Sequence, residues 1–129
     1  MRLATVIAIS ICATGFVSDQ ARADDARYFM GTRHFVRGDG NIRICYPKEF
    51  RLKLQNNIIT SQQGGSSCGP APTVMGADGS FSGHCVFPYD VVDFTGKLSG
   101  HTITMHDKHV MKDNSATCEY DMQLEESAQ

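Results

Sequence analysis

The sequence predicts an all-β fold: a small antiparallel meander closed as a barrel or sandwich, stapled by two disulfides, after a cleaved signal peptide. Three observations carry that expectation. Apolar and polar residues alternate over short runs, turn-forming residues separate the runs, and four cysteines follow an N-terminus of export type.

The alternation is clearest near the C-terminus. Cys118, Tyr120, Met122 and Leu124 alternate with Thr117, Glu119, Asp121 and Gln123, which gives one strand an apolar and a polar face. Leu52 and Leu54 around Lys53 mark a second strand, and Ile42 and Ile44 around Arg43 a third. Phe81, Cys85 and Phe87 share one parity from Ser80 onward. Val92, Phe94 and Leu98 mark a further strand, and Ile103 with Met105 the last. Between these runs lie Gly38-Asp39-Gly40-Asn41, Asn56-Asn57, Asp78-Gly79 and Ser99-Gly100, all built from residues that tolerate positive φ at hairpin turns. Short strands punctuated this way suit an up-and-down meander. Gln62 to Pro72 is Gly/Ser/Pro-rich and reads as a loop, whereas Asp24 to Met30 fits a helical turn or a first strand equally well. Asp78-Gly-Ser-Phe-Ser-Gly83 and Asp93-Phe-Thr-Gly-Lys-Leu-Ser-Gly100 look like successive strand ends of one meander.

The N-terminus has the parts of an export signal. Arg2 supplies a positive charge, Leu3 to Val17 is uncharged and apolar or small throughout, and Ala21-Arg22-Ala23 offers small residues at the two positions a signal peptidase reads. The apolar run falls short of the roughly 20 residues that span a membrane. Cys12 as a lipoprotein site is disfavoured, because Ile11 stands where a small residue is wanted. The expectation is therefore a signal peptide at 1–23 and a single β-rich domain at 24–129, periplasmic or secreted from a bacterium.

Cys12 leaves with the signal, so Cys45, Cys68, Cys85 and Cys118 remain. No C-x-x-C pair occurs among them, which weighs against a zinc knuckle or a thioredoxin-like centre. In a short exported chain they are expected as disulfides, preferentially Cys68–Cys85 and Cys45–Cys118. On the loop-entropy model these would stabilise the fold by ~3 and ~4 kcal/mol. With no Trp and seven Phe the core itself is thin.

Candidate chemistry is sparse, and no cofactor is expected. His101, His106 and His109, interleaved with Met105, Asp107 and Met111, form the candidate metal set; imidazole and thioether suit copper or zinc if a turn at Asp107-Lys108 brings His106 opposite His109. Gly65-Ser66-Ser67-Cys68-Gly69 matches the nucleophile-elbow pattern but lies in a loop of a chain too short for that fold. Asp90 with Asp93, and Glu119 with Asp121, are formal carboxylate pairs. Glu119 and Asp121 sit on a polar strand face, where ordinary solvated carboxylates are expected.

Charge is uneven: Arg27 to Lys53 carries seven basic and two acidic residues, Asp78 to Glu126 nine acidic and three basic. A stripe of Arg43, Arg51 and Lys53 is expected to meet Glu119 and Asp121 across neighbouring strands. Nucleic acid is not an expected partner, because no aromatic-and-basic platform for bases appears. The expectation that ranks first is an exported, non-catalytic binding or protective module, engaging an envelope component or a hydrolase it inhibits. A periplasmic copper- or zinc-binding protein using the three histidines is the alternative.

Overall fold

The computed structural model describes residues 25–61 and 72–128. Eight strands follow one another: β1 (Arg27–Gly40), β2 (Lys48–Gln55), β3 (Ile58–Ser61), β4 (Thr73–Val74), β5 (Ser80–Val86), β6 (Asp90–Ser99), β7 (Thr102–Met111) and β8 (Ala116–Ser127). They form one antiparallel sheet in the order β4-β3-β2-β1-β8-β7-β6-β5. Every neighbour is a chain neighbour except β1 and β8, whose pairing joins the two ends of the meander. β4 also approaches β5, and Gly76 N donates to Ser80 O at 2.8 Å, so the barrel is nearly closed. No helix among the described residues is long and apolar enough to cross a membrane.

Turn chemistry falls where the residues require it. Asn56 and Asn57 both take positive φ (52° and 61°) between β2 and β3, and Gly100 does so (62°) between β6 and β7. The two Phe-x-Gly segments prove to be antiparallel partners. Phe81 faces Gly96 and Phe94 faces Gly83 across β5 and β6. Each ring occupies the space that a Cβ on the facing glycine would need.

One core cluster fills the end of the barrel where β1 begins: Phe29, Leu52, Leu54, Ile59, Phe81, Ile103, Met105, Met122 and Leu124 lie in it with Met75. Ile103 and Leu124 are wholly excluded from solvent. At the other end Cys45 is bonded to Cys118, fastening the β1–β2 connection to the start of β8 as expected. The second expected bridge needs Cys68, which lies outside the described residues, as do the signal peptide at 1–23 and the Gly65–Gly69 segment. Cys85 is buried and is not a free thiol.

Several expectations are corrected. Ile42 to Ile44 is a 3₁₀ turn rather than a strand. The β1–β8 ladder ends at Gly40 opposite Ala116, so alternation beyond it has no partner strand, and both isoleucines stay exposed. There is no turn at Asp107-Lys108. Ladders to β6 and β8 carry β7 straight through those residues, and the chain reverses at 112–115, where Asn114 takes φ 60°. The basic stripe does not meet Glu119 and Asp121, because β8 lies between β1 and β7 while Arg51 and Lys53 are on β2; Arg51 pairs with Glu49 at 2.7 Å. Finally, Arg27 to Met30, which fit a helical turn or a strand equally well, open β1, the longest strand, which runs on through Gly38 and Asp39 to Gly40 where a turn was expected, and β3 and β4 were not among the expected strands.

Candidate functional site

Strand alternation sends the three candidate metal ligands to three places. His101 sits exposed in the β6–β7 turn, its Nδ1 3.2 Å from Glu126 Oε1. His106 and His109 stand three positions apart on one straight strand, so His106 projects outward and His109 inward. Met105 is buried in the core cluster. Among the described residues, no group of three or more His, Cys, Asp or Glu side chains is arranged to hold a metal ion.

His109 instead belongs to a polar cluster inside the barrel, at the end away from the apolar core. Its Nδ1 lies 3.1 Å from Asp90 Oδ2. A carboxylate only accepts, so Nδ1 carries the donated proton. Nε2 is 3.5 Å from Asp107 Oδ2, an ion-pair contact outside hydrogen-bond geometry. The hub is Tyr120, which is 2% exposed. Its ring meets His109 edge-on at 5.2 Å between centroids and carries the Arg33 guanidinium over its face at 4.2 Å. Tyr46 lies 5.8 Å from the same guanidinium. Burial raises the Tyr120 phenol above its ordinary range, which keeps it neutral. Asp107 is the buried charged residue of the described chain, at 3% exposure. Three buried side-chain atoms lack hydrogen-bond partners among the described residues, and all three belong to this cluster: Arg33 Nε, Asp107 Oδ1 and His109 Nε2.

The outer face carries a different arrangement. Register places His84 opposite Asp93, Asp93 opposite Lys108, Lys108 opposite Glu119, and Glu119 opposite Arg37. Basic and acidic groups thus alternate across five strands. His84 Nδ1 meets Asp93 Oδ1 at 2.6 Å, and Arg37 donates to Glu119 through Nε. His106, one row below, faces Asp121 through Nδ1 at 2.6 Å and Glu119 through Nε2 at 3.1 Å. Two carboxylates on one imidazole favour its doubly protonated form, so Asp121 first and Glu119 second hold the His106 pKa above its ordinary value. Arg37 and then His106 hold the Glu119 carboxyl below the usual range, so Glu119 is not an ordinary solvated carboxylate. Beside these rows the surface forms a concavity of about 560 Å³, lined by His84, Asp93, Thr95, His106, Lys108 and Glu119 among others.

Neither formal carboxylate pair forms an acid–base couple. Asp90 points inward to His109 and Asp93 outward to His84, on opposite faces of β6, while Glu119 and Asp121 bracket His106. The inward placement of Asp90, Asp107 and His109 was not foreseen. The signal was present in the shared parity of Ile103, Met105, Asp107 and His109, but polarity argued against continuing the inner face that far.

The rim around the polar end is apolar. Of the nine exposed large hydrophobic residues among those described, Val36, Ile42, Ile44, Tyr46, Val86 and Tyr89 lie at that end, and Met30, Ile58 and Val74 at the other. Fold and site together define a class: a small disulfide-tied up-and-down barrel, packed at one end, polar inside and apolar around the mouth at the other. No protein-family model, curated protein or solved structure matches the chain.

Proposed function

We propose that the chain is an exported, non-catalytic binding module that engages a protein partner with the rim at the Cys45–Cys118 end of the barrel. The observation that carries this reading is the clustering of exposed apolar residues there, Tyr89 at 79% and Tyr46 at 56% exposure foremost. Aromatic and β-branched side chains gathered on one end of a small domain mark association surfaces, and tyrosine is enriched among the residues that dominate their energetics. The disulfide beside Tyr46 restrains its loop before contact, which lowers the ordering cost of binding. The apolar run at 3–17 and Ala21-Arg22-Ala23 support export.

The test is site-specific photo-crosslinking from position 89, with position 104 on the outer face of β7 as control. The captured protein is then purified and titrated against the wild type and a Tyr46→Ser/Tyr89→Ser variant. Capture specific to position 89, with affinity weakened about tenfold or more in the variant, is the expected result. Equal capture from position 104, equal affinity of the variant, or crosslinks only between copies of this chain would overturn it.

A further inference from the structure

The disulfide at the polar end ties an exposed loop to a strand that crosses the whole barrel. We infer that Cys45–Cys118 is a redox latch: its reduction releases the 41–47 loop from β8 and takes the rim apart, while the apolar half of the barrel stays folded. The latch names the control of the rim and rests, for that consequence, on the rim being the docking surface.

The loop has little else to hold it. Its 3₁₀ turn, Ile42–Ile44, contains no buried residue, and Ile42, Ile44 and Tyr46 are all exposed. Its non-covalent ties to the barrel are slight. Asn41 N donates to Ser115 O at 2.8 Å, and the Tyr46 ring lies 5.8 Å from the Arg33 guanidinium, with its backbone against the Tyr120 phenol. Release lets water reach Arg33 Nε, a buried donor without a partner among the described residues, and so recovers part of the cost of its desolvation. The other half of the barrel differs. Its core cluster contains no cysteine, and the β1–β2 ladder, which pairs Arg33 with Lys48 and Arg27 with Leu54, starts only beyond the loop. Segments with few buried apolar contacts open before the rest of a fold. Three of the six apolar rim residues travel with the loop, so its opening alone dismantles the docking surface.

The chemistry is thiol–disulfide exchange. Cys118 is 4% exposed whereas Cys45 is half-buried, so a reductant meets the Cys45 sulfur. One thiolate of a dithiol reductant forms a mixed disulfide with Cys45 and expels the Cys118 thiolate, which takes up a proton. The reductant's second sulfur then displaces the Cys45 thiolate, which is protonated in turn. The reductant leaves as a disulfide, having supplied two electrons and two protons.

The test is limited trypsin digestion, followed by mass spectrometry, of the oxidised protein, the same protein held in dithiothreitol, and a Cys45→Ser/Cys118→Ser variant. The variant isolates this bond, because Cys85 is disulfide-bonded too. Cleavage after Arg43, inside the loop, is expected at least about tenfold faster in the reduced protein and in the variant, with cleavage after Lys97, paired between Ser80 and Thr104, unchanged. Acceleration at Lys97 in step with Arg43, or a variant that does not fold, shows that the bond staples the whole barrel and overturns the latch. So does equal cleavage after Arg43 in the oxidised protein and the variant, or a variant that opens while dithiothreitol leaves the wild type closed. Trypsin needs no partner, so a failure of the rim as a docking surface is distinguishable from a failure of the latch. Partner capture from position 89, where the oxidised protein shows it, falls at least about fivefold on reduction. Capture that survives release of the loop overturns control of the rim.

Discussion

Strands β7 and β8 each cross the whole barrel, and each changes character halfway. On β7 the inward positions run Ile103, Met105, then Asp107, His109; on β8, read in the opposite direction, they run Leu124, Met122, then Tyr120, Cys118. The hydrogen-bond ladder is continuous across the change. One half of the interior is therefore held by apolar burial, and the other by a disulfide, a cation over an aromatic ring and imidazole–carboxylate contacts. The contrast teaches that pleat parity fixes which way a side chain points and says nothing about what it is. An interior can be polar where function or a covalent tie substitutes for packing.

The sharpest way to test that division is to remove volume from the apolar half. Leu124→Ala, at a position with no solvent exposure, should cost about 3 kcal/mol in urea unfolding, since neighbouring strands cannot collapse into the gap. A cost under about 1 kcal/mol would mean that the apolar half is not where the stability resides. The corresponding change in the polar half should have the opposite sign. Asp107→Asn keeps the shape and removes a buried charge whose Oδ1 has no hydrogen-bond partner among the described residues, so a gain of about 1 kcal/mol is expected. A loss of 2 kcal/mol or more by the same measurement would show that the carboxylate is fully partnered and that the end is structural.

The smallest effect lies outside the barrel and shows what exposure does to similar chemistry. His106 faces two carboxylates as His109 does, but its side chain is 38% exposed. Its folded pKa is raised, so its stabilisation is present below the unfolded value near 6.5 and is lost as pH rises through the folded value. Solvent screening limits the effect to under about 1 kcal/mol. Compared with His106→Gln, the wild type should therefore be favoured at pH 5.5 and lose that advantage by pH 8 in parallel urea titrations. A difference that is flat with pH would remove the imidazolium from the outer rows.

Much of this was legible from the residues. The alternation at Cys118–Leu124 and Leu52–Leu54 located strands correctly because those strands bury clean apolar faces. The pairing of Cys45 with Cys118 followed from joining an early segment to the last strand. β1 resisted assignment because its inward face reads Phe29, Gly31, Arg33, Phe35. Gly31 is forced by a close approach of β8, where a Cβ would strike the Gln123 carbonyl, and Arg33 serves the polar end. The histidine cluster misled for the same reason in reverse. Proximity along the chain suggested a shared point, but three residues along an unbroken strand reverse the face, and only the neighbours' ladders show that the strand is unbroken.

The facing of Phe81 on Gly96 and Phe94 on Gly83 makes these four positions a single packing unit. A methyl group at either glycine forces the opposing ring to move, and a smaller residue in place of the ring leaves bare backbone beneath it. Substitutions there are best tolerated as matched exchanges across the hairpin. Moving a ring from one strand to the other therefore requires moving its glycine in the opposite direction.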